Sequence, residues 1–224
     1  MLYNIRPHQL FNLVKSASYE ERMVRIVLPV EKSPILLDTA VLLALAKVVK
    51  PRTFFEFGTF LGIETMNIAA NLAPEARLYT LDLDDASIPD LHQDEHDKPL
   101  TKIHMEMRQE LAFLGSTYDE RITRLYGDSK RFDFSSLRGR IDMVYVDGGH
   151  DVPTVISDSE NAFRMLSGDH ATCIVWHDYQ TDKYPQVTDH LSGLSSSLDL
   201  FHVEETNMVF FLRDVPGIVC EPKT

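Results

Sequence analysis

Between residues 53 and 82 the sequence reads TFFEFGTFLGIETMNIAANLAPEARLYTLD. A short apolar run, Thr53-Phe54-Phe55, passes through Glu56-Phe57-Gly58 into a turn, Thr59-Phe60-Leu61-Gly62, and then into an alanine- and leucine-rich helical stretch. A second apolar run, Leu78-Tyr79-Thr80-Leu81, ends at Asp82. Strand, glycine turn, helix, strand and terminal acid make one βαβ unit, and that unit restricts the chain to an α/β fold with a parallel sheet. Glycine tolerates φ > 0 and has no Cβ, so Gly58 is expected to let a ligand approach the backbone at the strand end. Gly62 is expected to let the helix start close to the strand. Free N–H groups at a helix start favour an anionic or strongly polar ligand group. Asp82 lies twenty residues past Gly62, where a carboxylate can accept both hydroxyls of a ribose. Glu56, just before the turn, can reach an amine or orient the loop.

Spacing separates two nucleotide cofactors. A dinucleotide loop wants G-x-G-x-x-G, whose middle glycine admits the pyrophosphate. Here the pattern is Glu56-x-Gly58-x-x-x-Gly62 with Phe60 in the middle, and a bulky ring there obstructs a pyrophosphate. A nicotinamide-dependent oxidoreductase is therefore the second reading.

The remaining chain sets the bounds. At 224 residues and 44% hydrophobic, one domain with a single large core is expected. A net charge of −12 and a pI near 5.1 argue against nucleic acid as a partner, because phosphate binding needs a basic face. Cys173 and Cys220 have no metal-type spacing and read as reduced thiols of a cytoplasmic protein. No apolar run approaches membrane-spanning length, and the N-terminus lacks a secretory apolar core. A soluble protein is expected, with its oligomeric state, homo-oligomer included, left open.

Taken in order, residues 7–28 carry apolar and charged residues at helical spacing, in one or two helices that cover the mouth of a site or pack on the sheet edge. DTAVLLALAKVV, from Asp38 to Val49, is a core helix with Asp38 near its start, ended by Pro51. His92 to Lys98 reads as a solvated insertion, and residues 101–113 as an amphipathic helix. His92, His96 and His104 lack metal-ligand spacing. A strand at 122–126 ends in Gly127-Asp128-Ser129, either a ligand-contacting turn or a plain helix cap.

The strand Ile141 to Val146 ends in Asp147-Gly148-Gly149-His150-Asp151, and Cys173 to Trp176 ends in His177-Asp178-Tyr179. Doubly wound folds build their sites at carboxyl strand ends. There Asp147 can bind a metal or an amine, and His150 can take a proton near neutral pH. Two carboxylates facing each other across neighbouring strands, Asp147 and Asp178, suit a hard cation such as Mg²⁺; otherwise Asp178 only positions substrate. Trp176 reads as packing. Residues 198–213 look like an antiparallel hairpin closing the sheet.

The E-x-G-x-x-x-G pattern with an aromatic in the middle resembles the first motif of class I S-adenosylmethionine-dependent methyltransferases, and among them the small O-methyltransferases of the catechol type. FEFGTFLG, YTLD, YGDS, VYVDGGHD and IVWHDY, in this order, resemble the members grouped with sugar- and antibiotic-tailoring enzymes. The resemblance runs from Thr53 to Arg213. It implies a Rossmann-like doubly wound sheet of about seven strands, mostly parallel, with an antiparallel C-terminal hairpin, carried on residues 51–214, with N-terminal helices in 1–50 covering the site. It implies that Glu56, Gly58, Thr59, Phe60 and Gly62 bind S-adenosylmethionine and that Asp82 holds its ribose. Asp128 and Ser129 fall on the adenine turn and Asp147 beside the cofactor's amine. Asp147 and Asp178 fall on two metal-binding acids, and His150, the expected general base, lies three residues past the first of them, where catechol-type enzymes carry a lysine. Two positions depart from the pattern. Tyr179 replaces an asparagine metal ligand, and Glu64 stands where a serine usually receives the methionine carboxylate.

The expected function is methyl transfer to an oxygen, less readily a nitrogen, of a small-molecule acceptor, with or without Mg²⁺. Acids 147 and 178 would hold the acceptor. A cofactor-binding protein without catalysis is the third reading, prompted by Glu64.

Overall fold

The computed structural model describes residues 1–14, 22–27 and 36–215. Its centre is one sheet of eight strands: β1 (Leu2–Ile5), β2 (Thr53–Phe57), β3 (Arg77–Asp82), β4 (Ile122–Tyr126), β5 (Met143–Val146), β6 (Thr172–Trp176), β7 (Leu200–Val203) and β8 (Val209–Arg213). The spatial order is β1-β7-β8-β6-β5-β2-β3-β4. Only β8 runs antiparallel to its neighbours, β6 and β7. The sheet thus has one strand more than expected. Leu2–Ile5 adds parallel to β7 at one edge, and four residues are too few to show a period in sequence.

The central strands explain themselves. MVYV and TCIVW are buried throughout, and TFFEF is buried after its first residue, as β-branched and aromatic runs in a sheet covered on both faces should be. The edge strand β4, ITRLY, buries only Ile122 and is otherwise open toward solvent. Among the described residues, six helices cover the sheet: α1 (Pro7–Leu13), α2 (Leu36–Val49), α3 (Ile63–Asn71), α4 (Asp97–Met107), α5 (Val152–Met165) and α6 (Pro185–Leu194). The near-uniformly apolar α2 buries nine of its residues, and α1 inserts Leu10 beside it. The rest of the expected 7–28 helical segment lies partly outside the described residues, as does Cys220. Helix α4 starts four residues earlier than the apolar spacing suggests and stops at Met107, after which turns carry Leu111 and Phe113 into the core. Asp151 caps α5, accepting from the Thr154 amide at 3.3 Å and hydroxyl at 2.5 Å.

The chain runs outward from β2 through β3 to β4, then returns to β5 on the other side of β2. That reversal is the topological switch point, where strand-end loops diverge and leave a crevice. Among the described residues, no helix is long and apolar enough to cross a membrane.

Candidate active site

A cavity of about 540 Å³ lies over the carboxyl ends of β2 to β6, lined by the loops that follow them and by α2 and α4. Every residue expected to form a site lines it: Glu56, Gly58, Thr59, Phe60, Asp82, Asp128, Ser129, Asp147, His150 and Asp178. Gly62 is the exception and lies just behind the loop.

The glycine loop is held from within. Glu56 is 1% exposed and its Oε2 accepts from the hydroxyls of Thr65 (2.5 Å) and Thr80 (2.6 Å). Burial pushes its carboxyl up to about 8, against the lowering effect of those hydroxyls. Through Thr80 it is tied to Thr59 of the glycine loop. Thr59 shares a 2.6 Å hydrogen bond with Thr80, and the Phe60 amide donates to Asp82 Oδ2 at 2.8 Å. The other Asp82 oxygen accepts from the Leu83 amide at 2.7 Å. His104 Nδ1 lies 2.9 Å from the Phe60 carbonyl oxygen and 3.4 Å from Asp82. Phe60 sits at φ 46° and is fixed there by these contacts.

The structure gives both glycines a packing reason. At Gly58 (φ 87°) a Cβ would fall far inside contact distance of the Asp147 carbonyl oxygen, so this glycine admits the end of β5. At Gly62 (φ 72°), the left-handed cap of α3, a Cβ would meet the Phe113 ring at 2.8 Å. The side chain crowding Gly62 comes from residue 113, not from the strand.

At the β4 end, Asp128 is occupied by Lys130, whose amine is 3.1 Å from Asp128 Oδ1 and donates to Thr154 at 2.7 Å. Behind Ser129 and Gly148 lies Asp158, fully buried, whose carboxyl burial raises to about 7.

At the β5–β6 end, carboxylates and imidazoles alternate in an unbroken chain. Asp38 Oδ2 meets His177 Nε2 at 3.0 Å, and His177 Nδ1 meets Asp178 Oδ2 at 3.0 Å. The same oxygen meets His150 Nε2 at 2.8 Å, and His150 Nδ1 meets Asp97 Oδ1 at 2.7 Å. The His150 amide also donates to Asp97, and its ring stacks on Tyr184 at 3.6 Å. Asp147 stands beside this chain, bonded by the Tyr145 hydroxyl at 3.0 Å and 3.3 Å from His177.

Burial alone would lower the His150 pKa, but Asp178 and Asp97 outweigh it and raise it to about 10. Burial likewise opposes protonation of His177, and Asp147, Asp178 and Asp38 overcome it. The two imidazoles in turn hold Asp178 far below the usual carboxylate range despite its burial. Asp97 and Asp178 thus hold both ring nitrogens of His150, the expected general base, and favour its protonated form.

Three residues of this network were not foreseen as site residues. Asp97 lay in the stretch read as a solvated insertion, yet it is 5% exposed and fixes His150. Asp38 was read only as a helix start, and His177 only as a neighbour of Asp178. Tyr179 turns into the core against His202 and offers the cavity no ligand in place of the expected asparagine. Asp147, His150 and Asp178 can each present one ligand atom, all within 4.8 Å of one another. Two carboxylate oxygens and an imidazole nitrogen fit a divalent cation, Mn²⁺ better than oxygen-seeking Mg²⁺. Among the described residues, His92, His96 and His104 join no such group.

A doubly wound sheet with an acid-lined cleft at its switch point is the architecture of a nucleotide-cofactor α/β protein. A family model described as a methyltransferase domain matches residues 55–179, more than half of the chain, and the chain belongs to that family. No curated protein matches the sequence. Among solved structures, the fold is similar to the SAH-bound methyltransferase PaMTH1 of Podospora anserina (12% identity, 92% of this chain and 86% of that one, TM-score 0.53). It is also similar to the O-methyltransferase TomG of Streptomyces achromogenes, solved with SAM (14%, 92% and 87%, 0.50). A third is an O-methyltransferase of Bacillus cereus in complex with SAH (13%, 92% and 88%, 0.50).

Proposed function

We propose that the protein transfers the methyl group of S-adenosylmethionine to a hydroxyl oxygen of a small molecule. The observation that carries this reading is the single cavity joining the Glu56–Asp82 loop to the Asp147–His177–Asp178 cluster. An acid suited to a ribose and a group suited to proton transfer line one and the same crevice, which supports this reading. The donor's ribose lies at Asp82 and its adenine toward Asp128 and Ser129, which places its sulfonium beside Asp147.

Methyl transfer is an in-line displacement: the acceptor oxygen forms the new C–O bond while the S–CH₃ pair returns to sulfur, leaving a neutral thioether. Most of the acceleration comes from holding oxygen, carbon and sulfur in line. The acceptor's proton must go to a group that is free to take it. Asp147 fills that role. It is the most open acid of the cluster, 28% exposed at its side chain, and it is held from the side by Tyr145 and His177. His177 and His150 keep their protons and offset negative charge as it develops on the acceptor oxygen. A divalent cation would take the place of the His150 Nε2 proton, held by Asp147, the then neutral His150 and Asp178, and would lower the pKa of the acceptor hydroxyl.

The test is a methyl-transfer assay on a panel of catechols, phenols, sugars and amines, following S-adenosylhomocysteine release. Hydroxyl acceptors should turn over, and Asp147→Asn should lower kcat by about 10²-fold or more. Turnover confined to amines, or an unchanged kcat in Asp147→Asn, contradicts the reading.

A further inference from the structure

Helix α4 is fastened over the cavity by polar side chains. Its inward face, Asp97, Leu100, Thr101 and His104, lines the cavity at the spacing of one helix side. A surface helix ordinarily buries an apolar stripe. The only residues α4 buries are Asp97 and His104, two turns apart, while its leucine, isoleucine and methionines stay at least partly open. Asp97 reaches the imidazole half of the cleft through His150. His104 faces the other half.

His104 is 2% exposed, and its Nδ1 lies 2.9 Å from the Phe60 carbonyl oxygen and 3.4 Å from Asp82 Oδ2. A carbonyl oxygen only accepts, so Nδ1 carries a proton. Nε2 has no partner among the described residues, and the ring is therefore placed by its Nδ1 bond. The Phe60 amide donates to the same Asp82 oxygen at 2.8 Å. Phe60 N–H, Asp82 Oδ2, the His104 ring and the Phe60 carbonyl form a closed circuit around one residue at φ 46°. The left-handed region is costly for a residue with a Cβ, and here both backbone polar groups of Phe60 are held. The circuit also fixes Asp82, whose Oδ1 accepts from the Leu83 amide at 2.7 Å and keeps acceptor capacity for a further donor.

We propose that His104 is a positioning residue for the donor. Through Nδ1–H it holds Phe60 and turns the Asp82 carboxylate to meet the ribose hydroxyls, without touching the donor itself. This assignment rests on S-adenosylmethionine being the donor and on Asp82 taking its ribose. The role needs a hydrogen-bond donor at the Nδ1 position and no other property of an imidazole.

Calorimetric titration tests it, with S-adenosylhomocysteine and its 2′,3′-dideoxy analogue on wild type, His104→Phe, His104→Asn and His104→Gln. His104→Phe keeps a ring but loses the donor, and S-adenosylhomocysteine should bind roughly 10-fold more weakly, the scale of one hydrogen bond. His104→Asn carries an amide nitrogen near the Nδ1 position and should recover affinity to within about threefold of wild type, whereas His104→Gln, with its nitrogen near Nε2, should not. The dideoxy analogue has no hydroxyls for Asp82, so wild type and His104→Phe should bind it within about twofold of each other. In steady-state assays of His104→Phe the donor KM should rise with the lost affinity, and the acceptor KM should move less than about twofold. A histidine that only supports the fold would weaken both ligands equally and show no preference for asparagine over glutamine. Equal weakening of both ligands, or unchanged S-adenosylhomocysteine binding in His104→Phe, overturns the positioning role. If the phenylalanine variant does not fold, equal affinities of His104→Asn and His104→Gln overturn it instead. In each of these cases wild type still binds S-adenosylhomocysteine and only the role of His104 falls; if wild type does not bind it, the donor reading fails and the role with it.

Discussion

The loop half of the cleft draws Glu56, Thr59, Thr65, Thr80 and Asp82 from one continuous βαβ unit, and their hydrogen bonds close within it. The imidazole half draws Asp38, Asp97, Asp147, His150, His177 and Asp178 from α2, α4 and two strand ends, with the chain crossing the sheet between them. The first half is pre-formed by local chemistry and needs only its strands to pair. The second exists only once the whole fold is assembled, and its charges are balanced by residues far apart in the chain. In the proposed function, cofactor binding falls to the half that is locally fixed, and proton handling to the half that is assembled.

The two halves meet at Gly58, where the loop touches the Asp147 carbonyl. The largest effect should therefore come from Gly58→Ala, which adds a Cβ at φ 87° against backbone that cannot yield. Urea denaturation should show a loss of about 3 kcal/mol or more. Gly193→Ala is the counter-case: it lies in α6 with nothing within 4 Å of the added Cβ and should gain up to about 1 kcal/mol. Similar costs at both sites would mean that the halves are not locked together there.

Of the same order is the dependence of stability on pH. His150 has a folded pKa of about 10 against an ordinary value of 6.5, so its contribution is complete below about pH 6.5 and is lost as pH rises through 10. The loss should be roughly 3–5 kcal/mol. Glu56, raised from 4.5 to about 8 in the other half, acts with the same sign: its neutral form fits the fold, so stability falls between pH 4.5 and 8. Glu56→Gln should remove the decline between pH 4.5 and 6.5 and leave the His150 decline from 6.5 to 10. Asp178→Asn should do the reverse. Denaturation midpoints measured from pH 5 to 10 separate the two.

A smaller effect crosses the halves. Asp82→Ala should weaken S-adenosylhomocysteine binding by about 100-fold, through lost ribose contacts and a freed Phe60 amide, without moving the His150 titration. Asp97→Asn should lower the His150 pKa, read by NMR, and change donor affinity less than about twofold. If either variant alters both quantities equally, the division of the cleft is wrong.

The same division explains what the sequence makes legible. The βαβ unit, the five strand ends and the acids upon them are written in short contiguous patterns, and the parallel sheet follows from them. Strand β1 is too short to show a period. Asp97 sits among Asp94, Glu95, His96 and Lys98, and a charge run reads as solvated because nothing local says that one member folds inward. The pKa of His150 depends on Asp97 and Asp178, 53 and 28 residues away, so its protonated state could not be read from D-G-G-H alone. Gly58 and Gly62 were identified correctly as special positions, but the atoms that make them so, the Asp147 carbonyl and the Phe113 ring, are long-range neighbours.

The most direct test of the account is calorimetric titration of the wild type and Asp82→Ala with S-adenosylmethionine, S-adenosylhomocysteine and NADH, with and without Mg²⁺ or Mn²⁺. Binding of the two adenosyl sulfur compounds but not NADH, sharply weakened in Asp82→Ala, is the result predicted. Binding of NADH in preference to both, or S-adenosylhomocysteine affinity untouched in Asp82→Ala, would contradict it.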